Sequence, residues 1–289
     1  MKFVDTSQML VTKFPEQARL INRVRKLAQR ARAVERTDIL EPVSLQNLSG
    51  DKPELFGVTA ADYNAWRLHC AESASVRMHD LEDGIANEFL AERLTSSLVL
   101  LRAHMEVAGL AAYAVNRLWD AARQPDGWEK LAPVIQKVYF GSSMFVQSRG
   151  SPDIADTIGM GEVYPVNPTD YIKALDRFAS PGKVPGKRFQ AVYGLLSESA
   201  HPAMRGSKTF TEIVDHRQFA WVLRYHAEDA PDAKAVRMVF QILRDSMRIG
   251  YGAAGLLRVA EVGLYEDGTF GLREPTERQF AHVFRNFIK

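Results

Sequence analysis

Two groups of residues in this chain of 289 have the types and spacing that chemistry needs. The first is Arg102 with Glu106, four apart and therefore on one side of a helix. A guanidinium and a carboxylate so placed can grip an anion, position it or move a proton. Buried together, they can instead satisfy each other and orient their neighbours. Arg before Glu is the less favourable order for a helical surface pair, which argues against a mere staple. Thr95 and Tyr113 fall on the same side at about 100° per residue. The second group is Tyr193, Ser197 and His201 in FQAVYGLLSESAHPAMRG, again four apart, with Arg205 beyond them as a further binding candidate. Pro202 disfavours helical geometry in the residue before it, so His201 stands at a helix C-terminus. There the macrodipole favours the protonated imidazole. The ring can cap the last carbonyls, or serve as an acid, a base or a phosphate contact. Arg102, Glu106 and His201 are thus the catalytic candidates, and Tyr193, Ser197 and Arg205 the binding candidates.

Other chemistries find less support. Ser197 has no third orienting residue and no elbow context, so a hydrolytic triad is not expected. Glu198 and His201 match one Glu-x-x-His element of a di-iron bundle, but no other histidine has a glutamate three residues before it. Neither His69 nor His79 has a second ligand-type residue at metal-binding spacing. Gly159-Met160-Gly161 lacks the Lys-Ser/Thr and the preceding strand of a phosphate loop. The single cysteine, Cys70, excludes an internal disulfide and a cysteine-based zinc cluster. No metal and no cofactor are expected.

The first pair must be carried by the segment from Ile85 to Ala122, which reads as one long helix starting after a break at Asp83-Gly84. Leu94, Leu98, Leu101, Met105, Ala108, Ala112, Val115 and Trp119 recur in steps of four and three, while Val99, Ala103, Val107, Leu110 and Ala114 fill the opposite side. A helix apolar nearly all round lies in a protein core or a bilayer. Arg102, His104 and Glu106 interrupt it, so burial in protein is the expectation, with His104 on a different side from the pair. A second helix of the same pattern runs from Pro231 to about Val262, and the two should pack antiparallel. Within it, Gly250, Gly252 and Gly255 would admit a close neighbour.

Further helices are expected after Pro15 to about Thr37, from Thr59 (capped with Asp62) through Val76, and from Trp128 to Phe140. Others follow from Thr169 or Asp170 to Phe178, from Lys187 to Ala200, and around Phe280–Phe287. The pattern changes to a period of two in Thr209–Val214 and Phe219–His226, which reads as a hairpin at about 209–226. Residues 38–58 read as a connector, and residues 141–168 as an irregular lid or binding loop. The fold class is therefore mainly α, a bundle of about six or seven helices with one small β-hairpin. Residues 1–58 form a basic N-terminal helix and connector, and residues 59–289 the bundle core with its hairpin.

Net charge is only +2, yet residues 1–36 hold nine Lys or Arg against three Asp or Glu. Arg19, Arg23, Arg25, Lys26, Arg30, Arg32 and Arg36 line the helix after Pro15, opposite a stripe of Leu20, Val24, Leu27, Ala31 and Val34. That face is either a solvated outer surface or a contact for RNA or another phosphate-bearing ligand. No aromatic residue interrupts it, so base stacking is not expected. The absence of a signal-peptide-like apolar run at MKFVDTSQMLVTKF, with the lone thiol, points to the cytoplasm; a homodimer is the other partner expected, and no membrane.

Arg102-x-x-x-Glu106 in a long apolar helix, followed by Tyr193-x-x-x-Ser197-x-x-x-His201-Pro202, resembles an uncharacterised bacterial family. Its helical members are compared with HEPN (higher eukaryotes and prokaryotes nucleotide-binding) bundles and abortive-infection proteins. The likeness covers residues 85–205. It implies that Arg102, Glu106, Tyr193, Ser197 and His201 occupy recurring positions, and that the protein acts on RNA or a nucleotide in defence. Active HEPN ribonucleases carry an Arg followed by His after four to six residues. Here those places before His201 hold Gly194, Leu195 and Leu196, a departure from the ribonuclease pattern. Two functions are therefore expected in turn: a non-catalytic binding or interaction module, or an HEPN-like protein with a site at Arg102, Glu106 and His201.

Overall fold

A computed structural model describes residues 2–33, 60–124, 126–140, 166–180, 186–200, 211–215, 220–223, 231–264, 270–273 and 277–283, with Arg285 and Phe287. The expected connector, most of the 141–168 segment, the boundary at 58–59, and the candidates His201 and Arg205 lie outside them. The chain is mainly α, as its periodicity requires. The helices are α1 Phe3–Lys13, α2 Ala18–Arg32, α3 Ala60–Leu90, α4 Leu94–Arg123, α5 Gly127–Phe140, α6 Pro168–Ala179, α7 Arg188–Ala200, α8 Ala233–Val259 and α9 Glu277–Val283. Strands β1 Thr211–Asp215 and β2 Ala220–Leu223 form the expected hairpin, pairing Thr211 with Leu223 and Ile213 with Trp221. A second antiparallel pair, β3 Glu261–Leu264 with β4 Phe270–Arg273, occupies ground that the sequence reading gave partly to helix. Asn64 draws the chain out of helix there: its amide donates to the Val262 carbonyl at 2.8 Å and its oxygen accepts from the Val262 N–H at 3.0 Å.

The expected break at Asp83-Gly84 is not where the chain turns. Gly84 lies inside α3, and Asp83 accepts from the Phe3 N–H and from Arg32 Nη2 at 2.6 Å, tying α1 and α2 to α3. The turn falls at residues 91–93, where Glu92 adopts φ 59°. Glu92 N–H donates to Phe89 O at 3.2 Å and Arg93 N–H to Glu88 O at 2.9 Å, the paired bonds of a Schellman ending. Lys13 takes up the Leu90 carbonyl at 2.9 Å and the Glu92 carboxylate at 2.8 Å. A glutamate at a position that glycine usually fills left no signal in the sequence.

Helices α3, α4 and α8 pack on one another, with α6 and α7 against the remaining side of α4. That explains a helix apolar nearly all round: α4 is walled in, and 61% of its most apolar window is buried inside the protein. It is also the one described helix long and apolar enough to cross a membrane. Close approach comes from small residues. A Cβ on Gly250 would lie 2.5 Å from Met78 Sδ and 2.8 Å from Ala108 Cβ, so the glycine lets α8 sit against both α3 and α4.

The expected antiparallel packing of α4 and α8 is overturned. His104 meets Ser246 and Ala108 meets Gly250, so both chains advance in the same direction. Helix α3 runs against both: Glu82 meets His104 and Tyr251, while Arg258 grips Glu72 through Nε at 2.7 Å. A short connection enforces antiparallel neighbours, and it does so for α3 and α4. Between α4 and α8 the described residues alone include three further helices and a hairpin, a connection long enough to free the direction.

The N-terminal helices belong to the same core. Phe3 packs on Phe240, and Ile21 and Val24 are fully buried, with α1 against α3 and α2 against α8.

Candidate functional site

The residues around Arg102 are placed by α6 as much as by α4. Helix α6 opens at Asn167, whose side chain accepts from the Thr169 N–H at 2.9 Å, with Pro168 in the first turn. The cap is thus Asn167 and not the expected Thr169 or Asp170; Pro168, with no N–H to give, suits the position after it. Helix α6 lies so close to α4 that a Cβ on Gly109 would sit 2.6 Å from the Tyr171 carbonyl oxygen. Near its other end, buried Asp176 reaches the start of α7. Its carboxylate accepts from the Phe189 N–H at 2.9 Å and the Gln190 N–H at 3.1 Å. Orphan amides and the positive end of the helix dipole both favour a carboxylate there. Asp176 therefore fixes where α7 begins, and with it where Tyr193 comes to lie one turn later.

Tyr193 lands on the pair. Its hydroxyl donates to Glu106 Oε1 at 2.6 Å and accepts from Arg102 Nη2 at 3.0 Å. Arg102 Nε stands 3.3 Å from the same Glu106 oxygen, near enough for an ion pair but not aligned as a hydrogen bond. The guanidinium carbon lies 5.1 Å from the centroid of the Tyr193 ring. Side-chain exposure is 26% for Arg102 and 30% for Glu106, so the group sits at the edge of the core and not in it. Burial, then the hydrogen bond to Glu106, raises the Tyr193 pKa above the usual phenol value, with Arg102 pulling the other way. The hydroxyl therefore keeps its proton near neutrality and works as a donor. Ser197 follows one turn along α7, half-buried.

Chemically this is a closed circuit. The guanidinium is spent on the phenol and the carboxylate, and the carboxylate accepts the phenolic proton. The arrangement holds α7 against α4 well, and it leaves each group less able to grip or activate a ligand. Among the described residues no group of three His, Cys, Asp or Glu is placed to hold a metal ion.

A second polar cluster lies deeper, built around His104, which helical spacing put on a different side from the Arg102–Glu106 pair. His104 and Glu82 are both fully buried, with His104 Nε2 3.5 Å from Glu82 Oε1. Ser246 Oγ stands 3.0 Å from His104 Nδ1, and the Tyr251 hydroxyl donates to Glu82 Oε1 at 2.6 Å. Serine, histidine and glutamate in series suggest a hydrolytic triad, yet all three are sealed from solvent and no substrate can reach Ser246. The cluster instead ties α3, α4 and α8 together. The sequence offered one signal, that His104 in an apolar wall needs a partner. Nothing in it pointed to Glu82.

Comparison with known protein families, curated proteins and solved structures finds no match for this chain.

Proposed function

We propose that this protein is a non-catalytic interaction module, a helical bundle in which Arg102, Glu106 and Tyr193 hold α7 in place while partners are met elsewhere on the surface. One observation carries the reading: the Tyr193 hydroxyl bonds Arg102 and Glu106 at once, so the most chemically promising residues are already engaged with one another. Weak, partly exposed contacts of this kind orient elements more than they stabilise them.

The second reading is an HEPN-like protein acting on RNA or a nucleotide, with a site formed by Arg102, Glu106 and His201. Its support is the meeting of α4 and α7 at the positions that the family resemblance designates, with Arg102 and Glu106 partly open to solvent. An RNA-cleavage assay on the wild type, Arg102→Ala and His201→Ala separates the two. The module reading expects no cleavage by any of the three. Cleavage by the wild type that disappears in both folded variants would replace it with the second reading.

A further inference from the structure

We propose that the outer face of α2 binds the phosphate backbone of a duplex nucleic acid without reading its sequence, which names the partner of the module proposed above and rests on that reading. Arg19, Arg23, Lys26 and Arg30 are all exposed, in steps of four, three and four that keep them on one side of the helix. At about 1.5 Å per residue they form a row roughly 16 Å long. Neighbours in it are closer than the Debye length of about 8 Å at physiological salt, so they act as one field.

Among the described residues the row has no ion-pair partner. From Ala18 to Arg32 the helix contains no Asp or Glu. Among the described residues no carboxylate lies within ion-pair distance of any of the four, whereas Arg32 on the flank is committed to Asp83 at 2.6 Å. Like charges four apart repel along a helix, and Arg19 also stands at the positive end of the dipole. A solvated outer face usually mixes signs; this one carries a cost that a polyanion removes.

The kind of polyanion follows from what surrounds the row. The opposite face of α2 (Ile21, Val24, Leu27, Ala28 and Ala31) is buried, and the helix packs on α1 and α8. With one flank held in the core, α2 presents to the outside a row of cations, and such a row needs only the phosphate oxygens of a backbone to engage it. The helix has no aromatic residue for stacking unpaired bases, which disfavours a single strand. Membrane docking would need apolar side chains beside the cations, and those of α2 face inward. A duplex offers about one negative charge per 1.7 Å of its axis and asks for nothing else.

Fluorescence anisotropy of the full chain with short labelled duplexes of RNA and of DNA tests this. Both should bind, and log K should fall against log salt with a slope of about −3.6 for four phosphate contacts. The double variant Arg23→Gln/Lys26→Gln, exposed and so expected to fold normally, should lose about half of that slope. No duplex binding, a slope unchanged in the double variant, tighter binding of single-stranded RNA, or equal competition by polyglutamate would each overturn the proposal. None of these outcomes depends on Arg102, so the module reading stands or falls separately.

Discussion

Tyr193 and Glu106, 87 residues apart in the chain, share a hydrogen bond of 2.6 Å between α7 and α4. It is the contact that turns a spacing within one helix into a relation between two. Because the group is partly exposed, its energetic weight is small. Tyr193→Phe should cost about 1 kcal/mol or less, and an Arg102–Tyr193 double-mutant cycle should show coupling of a few tenths to about 1 kcal/mol. Urea denaturation of the four proteins measures both.

Glu82 and His104 should behave differently. Both are fully buried, so removing one leaves the other with a single buried partner, Ser246 for His104 or Tyr251 for Glu82, and no water to replace what is lost. Glu82→Ala or His104→Ala is expected to cost about 3–5 kcal/mol. The same urea series gives the comparison. A loss at Glu82 no larger than that at Arg102 would mean that the buried cluster is not what binds α3, α4 and α8.

The contrast between these clusters also shows what the sequence can and cannot disclose. Arg102, Glu106 and Tyr193 were visible because helical spacing marks a shared face, and two polar stripes invite pairing. Glu82 was not, since it lies on another helix in an unremarkable acidic stretch, and only packing brings it to His104. Asp176 was hidden for a related reason: it caps a helix beginning more than ten residues later, beyond the local rule that finds caps. The apolar periodicity identified α4 and α8 as core helices but held no information on their mutual direction. Glu92 broke the chain in a conformation that its side chain does not advertise.

Two glycines test the placement of α6 and α7. Gly109→Ala brings a Cβ to 2.6 Å from the Tyr171 carbonyl oxygen and 2.8 Å from its carbon, both backbone atoms that cannot swing aside. Overpacking of this kind costs about 1–3 kcal/mol against a helix gain of up to about 1, so the net effect is destabilising. Gly194 lies one residue after Tyr193, and a Cβ there meets nothing within 4 Å. Gly194→Ala should therefore stabilise by up to about 1 kcal/mol. Thermal denaturation should move the two variants in opposite directions.

Alkaline pH should loosen the same region. Burial pushes the Tyr171 hydroxyl up to about 12 from its ordinary 10, and the Tyr193 hydroxyl is raised too. A raised phenol favours the folded state while it stays protonated. That stability is complete below pH 10, where the unfolded chain is also protonated, and is lost as pH climbs towards 12. Tyr171→Phe should lose less stability than the wild type across this window, measured as the shift in urea midpoint. Equal losses would remove Tyr171 from the account.

Cys70 offers the most sensitive reading of whether α3, α4 and α6 stay closed. Its thiol is fully buried and is pushed up to about 12 by burial. The thiolate is the reactive form, so the native protein should react with an aromatic disulfide reagent only when the helices open. For a domain of ordinary stability that slows labelling by about a thousandfold or more relative to the unfolded chain. Cys70 on α3 and Tyr171 on α6 both belong to helices packed on α4, so forcing α6 away from α4 should loosen the packing that encloses the thiol. Gly109→Ala is therefore expected to label faster than the wild type under native conditions, and Gly194→Ala no faster. Rapid labelling of the wild type would show that the helices enclosing Cys70 part readily. Slow labelling of all three would place the effect of Gly109→Ala somewhere other than the contact between α4 and α6.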